Sequence, residues 1–463
     1  MKKHHISRRK FIGSIPCMAI GTTTMFSSLI NLKALNNIVS STTLNNDYKA
    51  LVCILLAGGN DSYNMVIPRG NEEYNEYLAV RGNNAIPQDD LLAINPASTN
   101  GKSFGLHPNL TGLQGLFENG NLAFINNVGT LVEPTEKSQI ENNSANLPLG
   151  LLSHSDQVMH WQTAYPQDRS NIGWGGKMAD ILKSLNENDD VSMNISLGGN
   201  NIFQRGETVT EYAINNDGGV SILGWENPAP FLTQMTSDVS EFLNTQYEDV
   251  FKESYKGVLK RSIESNEIFN TALVNIPDPM TPFSLNNLSQ DLKMVAKTIA
   301  ARETLGANRQ IFFVQLGGFD NHDDLLNNHG DLMSTLDDAL TSFYAATEEL
   351  GVSDMVTTYT ISDFARTLTS NGNGTDHAWG GHALVMGGAV NGKSMYGEYP
   401  ILALNNDLEL GGGILVPTTS ADEYFAELAL WFGISPNDLH LILPNIGNFY
   451  SASSGNAPLG FLL

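Results

Sequence analysis

Cysteine is nearly absent from this chain. Its 463 residues hold two, Cys17 and Cys53, so neither a disulfide framework nor a cysteine-based zinc site is available. Cys53 lies inside an apolar run, where it reads as a small buried hydrophobe. Positive charge is also scarce: 25 Lys and Arg stand against 49 Asp and Glu, a net charge of −24. A surface that acidic repels nucleic acid and anionic lipid, and it favours solubility and uptake of divalent cations. Beyond the N-terminal segment, no apolar run is long enough to span a bilayer. The chain also has no Gly-x-Ser-x-Gly elbow, no Walker phosphate loop and no dinucleotide fingerprint. Those gaps set aside the serine-elbow hydrolases, the P-loop enzymes and the nicotinamide enzymes. No internal repeat is visible.

The N-terminus is legible. SRRKFIG (Ser7 to Gly13) reads as a twin-arginine export signal, followed by the moderately apolar FIGSIPCMAIGTTTMFSSLI. Pro16, Gly21 and the threonines argue against a permanent membrane anchor, and Ser-Ile-Pro before Cys17 makes no lipobox. Residues 1–35 are assigned to the signal and 36–47 to a linker. The expected localisation is periplasmic or secreted, with the twin-arginine export machinery as a partner and no stable membrane span after processing. Six of the 25 basic residues and none of the acids fall in residues 1–35. A chain without them has 19 basic and 49 acidic residues, a net charge of −30. Export by this route carries proteins already folded, which fits a metal acquired beforehand.

What is abundant is strand ending in aspartate. KALVCILLAGGND runs to Asp61, RQIFFVQLGGFDNH to Asp320 and His322, and MVTTYTISDF to Asp363. The strand cores are continuously apolar rather than alternating, the signature of strands buried on both faces. Between them lie helical patterns: 104–120, with Pro108 near its start, a helix from Ser153–Ser155, 174–185, 331–350 and 421–433. Further strands are expected at 122–129, 192–199 and 383–387. Residues 230–306 read as a helix-rich insertion or cap, broken at NIPDPMTPF. Strand–helix alternation of this kind predicts an α/β fold, a mostly parallel central sheet sandwiched by helices, over a single domain 48–463.

In such sheets ligands bind beyond the carboxyl ends of the strands. Asp320 and His322 follow Gly317 and Gly318, which allow a sharp turn, and carboxylate with imidazole suits zinc, manganese or iron. DNHDDLLNNHGD is not an EF-hand, having Leu325 at the sixth place and Asp331 at the twelfth; Asp323 and Asp324 read as helix-start acids. Asp61 is either a turn residue or a ligand, and Asp363 either a helix cap or a ligand. Arg366 either pairs with Asp363 or reaches an anionic substrate. NGNGTDHAWGGH brings Asp376, His377 and His382 in a glycine-rich loop, where a core role for histidine is a poor account. Ser153-His154-Ser155-Asp156 at a helix start would favour an anion, or it is a plain N-cap.

Taken together, SRRKFIG, GGNDSYNMVIP, FGLHPNL, SHSDQVMHWQ, IGWGGK, LGGFDNH, SDFART, TDHAWGGHALVMGG, MYGEYP and VPTTSADEYFAELALWFG resemble the exported bacterial family known as domain of unknown function 1501. That family is similar in turn to the alkaline phosphatase and sulfatase superfamily. The resemblance implies an alkaline-phosphatase-like fold, a metal site at the strand ends and a nucleophile at a helix start. It places Asp61, Asp320, His322 and Asp363 at metal positions, with His377 or His382 as a final histidine ligand. Here the acid–histidine spacing is Asp-x-His, and Phe364 stands where the superfamily's Ser-Asp-His-Gly motif has its histidine. Ser155 or His154 occupies the nucleophile place. The expected cofactor is a divalent ion (zinc, manganese, iron or calcium) and the expected substrate a small anionic or polysaccharide-linked ester. Two functions follow: an exported metal-dependent hydrolase of phosphate or sulfate esters, or a non-catalytic exported binding or assembly protein that keeps the fold.

Overall fold

The computed structural model describes residues 47–98, 101–220, 229 and 232–462. The twin-arginine segment and the linker to residue 46 lie outside the described residues. All that follows concerns the unit Lys49–Leu463.

The apolar run KALVCILLA forms β1 (Lys49–Ala57), buried at every position except its two ends. It becomes the centre of a ten-stranded sheet. Three small strands, β2 (Val66–Pro68), β3 (Leu92–Ile94) and β4 (Phe104–Leu106), form a separate sheet. The main sheet continues with β5 (Leu122–Gly129), β6 (Asn194–Ser196), β7 (Tyr212–Asn215), β8 (Gly218–Gly219), β9 (Arg309–Gly317) and β10 (Val356–Ser362). A short hairpin of β11 (Arg366–Ser370) and β12 (Thr375–His377) interrupts it before β13 (Gly381–Met386), β14 (Met395–Tyr396) and β15 (Thr419–Ser420).

The strand order is β14-β5-β13-β10-β1-β9-β6-β7-β8, with β15 also on β5. From β10 through β7 every neighbour is parallel, while β13 runs antiparallel to both β10 and β5. The fold is therefore α/β, a mostly parallel mixed sheet flanked by helices, as the strand patterns predict.

Among the described residues, nine helices of eight or more residues accompany it: α1 (Asn71–Arg81), α2 (Thr111–Glu118), α3 (His154–Thr163), α4 (Trp174–Leu182), α5 (Thr233–Asn244), α6 (Val250–Leu273), α7 (Asn287–Ala300), α8 (Leu325–Glu349) and α9 (Ala421–Phe432). Alternation along β1 divides the core. Leu51, Cys53 and Leu55 pack with Phe313, Tyr359, Trp161 of α3, Trp174 of α4 and Phe425 of α9. Val52 and Ile54, equally buried, face the other way. The Cys53 thiol is pushed above its usual range by burial, as expected for a packing residue.

One helix is shorter than its pattern predicted. Of residues 104–120, the first three pair as β4 and the helix begins only at Thr111. Pro108 lies between them, and the residue before a proline is pushed towards extended backbone; His107 there donates its N–H to the Met65 carbonyl.

β10, β1 and β9 are adjacent and parallel, with Cys53 level with both Tyr359 and Phe313. Their carboxyl ends consequently emerge side by side. The last three residues of β9 leave the buried layer, and the loop that follows opens towards solvent.

Candidate metal centre at the strand ends

Four segments meet at that edge. The β9–α8 loop brings Asp320 and His322, the turn after β10 brings Asp363, β12 ends in His377, and α3 begins at His154. Gly58, with φ of +116°, lets β1 pass so near the β9 loop that a Cβ there would overlap the backbone nitrogen of Asp320.

The imidazole Nε2 atoms converge on the Asp320 carboxylate. His154 Nε2 is 3.6 Å from Asp320 Oδ2, while His322 and His377 Nε2 lie 3.0 Å and 3.5 Å from Oδ1. His377 Nε2 stands 3.1 Å from both His154 Nε2 and His322 Nε2. Donor atoms of His154, Asp320 and His377 all fall within 4.8 Å of one another. Ligands on one zinc-class ion at about 2.0–2.2 Å must approach each other to roughly this degree.

The opposite nitrogen of every ring has an acceptor. His154 Nδ1 is 2.7 Å from Asp363 Oδ2, His322 Nδ1 is 3.1 Å from Asp376 Oδ1, and His377 Nδ1 is 2.8 Å from the Leu152 carbonyl. An Nδ1–H held in this way leaves Nε2 as the bare lone pair, the tautomer a metal ligand needs. Leu152 itself has φ of +73°, an unfavourable conformation for a leucine, and its carbonyl is the one His377 meets. Asp363 is fixed in turn by the Gly58 N–H at 2.9 Å.

Charge at the centre is set by Arg366. Its side chain is fully buried, 2.7 Å from Asp320 Oδ1, and its other nitrogens bond the carbonyl and hydroxyl of Thr375. Partial burial works to raise the Asp320 carboxyl. The bond and charge of Arg366, with His322 and His154, outweigh that and hold it below the usual carboxylate range. Burial lowers the His377 imidazole from its ordinary value, so it is neutral near pH 7. Imidazole nitrogens and a carboxylate form a donor set that fits a zinc-class divalent ion.

The structure thus gathers His154, Asp320 and His377 around one point, with His322 on their flank beside Asp320 and His377 and Asp363 behind His154. Two expected ligands lie elsewhere. Asp61 forms a fully buried pair with Arg81, both guanidinium ends meeting both carboxylate oxygens; its loop turns it away from the strand-end crevice. His382 is buried between Tyr399, stacked at 4.7 Å, and the edge of Tyr63 at 4.9 Å. Burial lowers its pKa to about 3. Of the two loop histidines only His377 reaches the cluster.

Two catalytic expectations change as well. Arg366 is turned inward onto Asp320 and has no exposed face for an anionic substrate. At the start of α3 it is His154 whose ring enters the cluster; Ser155 is exposed, with its Oγ 3.3 Å from Ser153 Oγ. Phe364 lies with its ring 4.7 Å from His154 and 4.5 Å from His377, an apolar wall where the superfamily resemblance implied a ligand. Asp376 and the Leu152 carbonyl were not assigned from sequence as partners of the histidines. Asp376 adjoins His377, which was a usable signal, but a backbone carbonyl leaves none.

Residues 48–440 match the family described as "Protein of unknown function (DUF1501)". No curated protein matches the chain. Among solved structures, the lipoteichoic acid synthase LtaP from Listeria monocytogenes aligns over 84% of this chain and 80% of its own, at 11% identity and a TM-score of 0.30. The PsFucS1 sulfatase from Pseudoalteromonas sp. aligns over 89% and 71%, at 9% identity and 0.34. The C-terminal periplasmic domain of EcEptC from Escherichia coli aligns over 87% and 88%, at 11% identity and 0.32. Similarities this slight carry nothing about chemistry. Among the described residues no helix is long and apolar enough to cross a membrane.

Proposed function

The chain belongs to the DUF1501 family, and we propose that it is an exported, metal-dependent hydrolase of phosphate or sulfate esters. The observation that carries this reading is the set of three histidines whose Nε2 atoms converge on Asp320 while each Nδ1 meets a fixed acceptor. His154, Asp320 and His377 would hold the ion, with His322 on its flank. Such an ion supplies Lewis acidity, polarising an ester oxygen and making water a better nucleophile.

The residues themselves do the rest. Asp363 and the Leu152 carbonyl orient two of the rings, and Arg366 tempers the charge of Asp320 from behind. Phe364 excludes water from one side. With His154 at the helix start and Ser155 turned to solvent, water rather than a side chain is the attacking group. Its oxygen forms the new bond to phosphorus or sulfur, the ester bond breaks, and the departing alcohol takes up a proton. A small anionic ester, or one carried on a polysaccharide, suits a half-open site of this kind. The twin-arginine signal supports export through that machinery to the periplasm or beyond.

Metal analysis of protein purified after native export tests the reading. We expect a divalent ion near one equivalent, lost in Asp320→Ala together with ester turnover. Metal-free protein whose Asp320→Ala variant keeps full activity would sink it. A second reading, a non-catalytic exported binding or assembly protein, draws support from Phe364 and from the exposed Ser155. Turnover of any phosphomonoester, phosphodiester or sulfate ester that disappears in His377→Ala rules it out.

A further inference from the structure

The three histidines are not held equally. His154 leans on the buried Asp363, and His377 on a backbone carbonyl. His322 leans on Asp376, whose side chain is 60% exposed and which sits on the β11–β12 hairpin rather than in the body of the sheet. That hairpin is joined to the His322 loop at several points. Asn371 Nδ2 lies 3.1 Å from Asp376 Oδ1 and 3.2 Å from the His322 carbonyl. Thr375 N–H donates to the Asn321 carbonyl at 3.1 Å, and Leu325 N–H to the Asn373 carbonyl at 3.0 Å. Gly374 lies so close that a Cβ there would overlap the His322 carbonyl group.

We propose that Asp376 is a positioning residue for the metal centre. Shared between Asn371 and His322 Nδ1, it fixes the His322 ring so that Nε2 faces Asp320 and His377, and the hairpin tip thereby sets ion affinity. This rests on the metal-centre reading given above. Removing an outer carboxylate behind a metal-site histidine weakens binding by roughly 10–100-fold, and His322, on the flank of the three closest donors, joins them only while its ring is held towards Asp320 and His377. The exposure of Asp376 puts the expected loss towards the lower end, while Gly374→Ala, by forcing the two loops apart, should produce a comparable loss without touching a polar group.

The test is competitive titration of the full exported chain with Zn2+ against a chromophoric chelator, with Co2+ absorption as a second readout. Asp376→Ala should raise the Zn2+ dissociation constant about 10-fold and change the Co2+ band. Asp376→Asn, which keeps an acceptor oxygen, should restore most of the affinity. In a His322→Ala background, Asp376→Ala should add less than about 2-fold, because a residue acting through His322 has nothing left to act on. Wild-type affinity in Asp376→Ala, or the same loss with and without His322, overturns the proposal and leaves the metal centre standing. A wild-type chain that takes up neither Zn2+ nor Co2+ overturns both.

Discussion

Two polar clusters built from the same residue types lie close together in the chain's fold, and they do opposite things. One is His154, His322 and His377 around Asp320, backed by Arg366. The other is Asp61 on Arg81, with Tyr77, Asn64, His107 and His329 nearby. In the second cluster the acid and the guanidinium are both wholly buried, Tyr77 donates to Asn64 Oδ1 at 2.8 Å, and His329 Nε2 meets Asn60 Oδ1 at 3.0 Å. Burial lowers the pKa of His107 to about 3, aided by the charge of His329, and that of His329 to about 3, aided by Arg81. In the first cluster the donors are half exposed, and each ring has its outer nitrogen tied and its inner one bare. What separates a structural knot from a candidate metal site is therefore solvent access and which ring nitrogen is satisfied. Residue type alone does not separate them.

The contrast breaks most visibly at Asp61. Truncating one partner of a buried pair leaves the other charge uncompensated, at a cost of about 3–5 kcal/mol. Asp61→Ala should lose that much in urea unfolding. The folded fraction should still bind Zn2+ within about 3-fold of wild type, since Asp61 lies outside the centre. A large loss of metal with no loss of stability would return Asp61 to the ligand set.

His154→Ala and His377→Ala should behave in the reverse way. Each removes a proposed ligand and should weaken Zn2+ binding on the order of 100-fold or more, beyond the range of an outer-group change. Metal-free stability, measured by the same unfolding, should move little because both rings are partly exposed. An unfolded His377→Ala would mean that the ring is a packing element.

Acid should find the buried cluster. An unfolded histidine titrates near about 6.5, while His107, His329 and His382 titrate at about 3 when folded. Between those values the unfolded chain binds more protons, so stability falls as pH drops from about 6.5 towards about 3 and is fully present above. Each group contributes up to roughly 1.4 kcal/mol per pH unit in that window. His382→Gln should flatten the slope by about that amount in chelator-treated protein. An unchanged slope would show that His382 is not held neutral.

The smallest effect is expected at Ser155. With its Oγ near only Ser153 and otherwise in solvent, Ser155→Ala should change ester turnover by less than about 3-fold and stability by less than about 0.5 kcal/mol. A loss on the order of 100-fold or more would make it the nucleophile after all.

Much of this was readable in the chain. The apolar runs at 50–57, 310–316 and 355–361 gave parallel strands because burial on both faces leaves no polar alternation. The loop residues Asp320, His322, Asp363 and His377 stood out because carboxylates and imidazoles after such strands have few structural duties. His382 could not be told from His377 by that argument. They lie five residues apart in one glycine-rich loop, and only the path of the loop sends one into the crevice and the other between two tyrosines. Arg81 lies 20 residues from Asp61 on a helix of ordinary surface composition, so no local pattern marked it as the partner. Phe364 was visible as a departure, but its place against two histidine rings was not.

The sequence alone settled the α/β class, the family and the short set of acids and histidines from which a site could be made, because period, burial and residue chemistry are local properties. Only the tertiary structure decided which of them meet. Placing β10, β1 and β9 side by side brought Asp363 to His154 across 209 residues, and the hairpin fold brought Asp376 to His322. Coordination depends on distances of a few ångströms and on which nitrogen is free, and both are set by packing among segments that the chain keeps far apart.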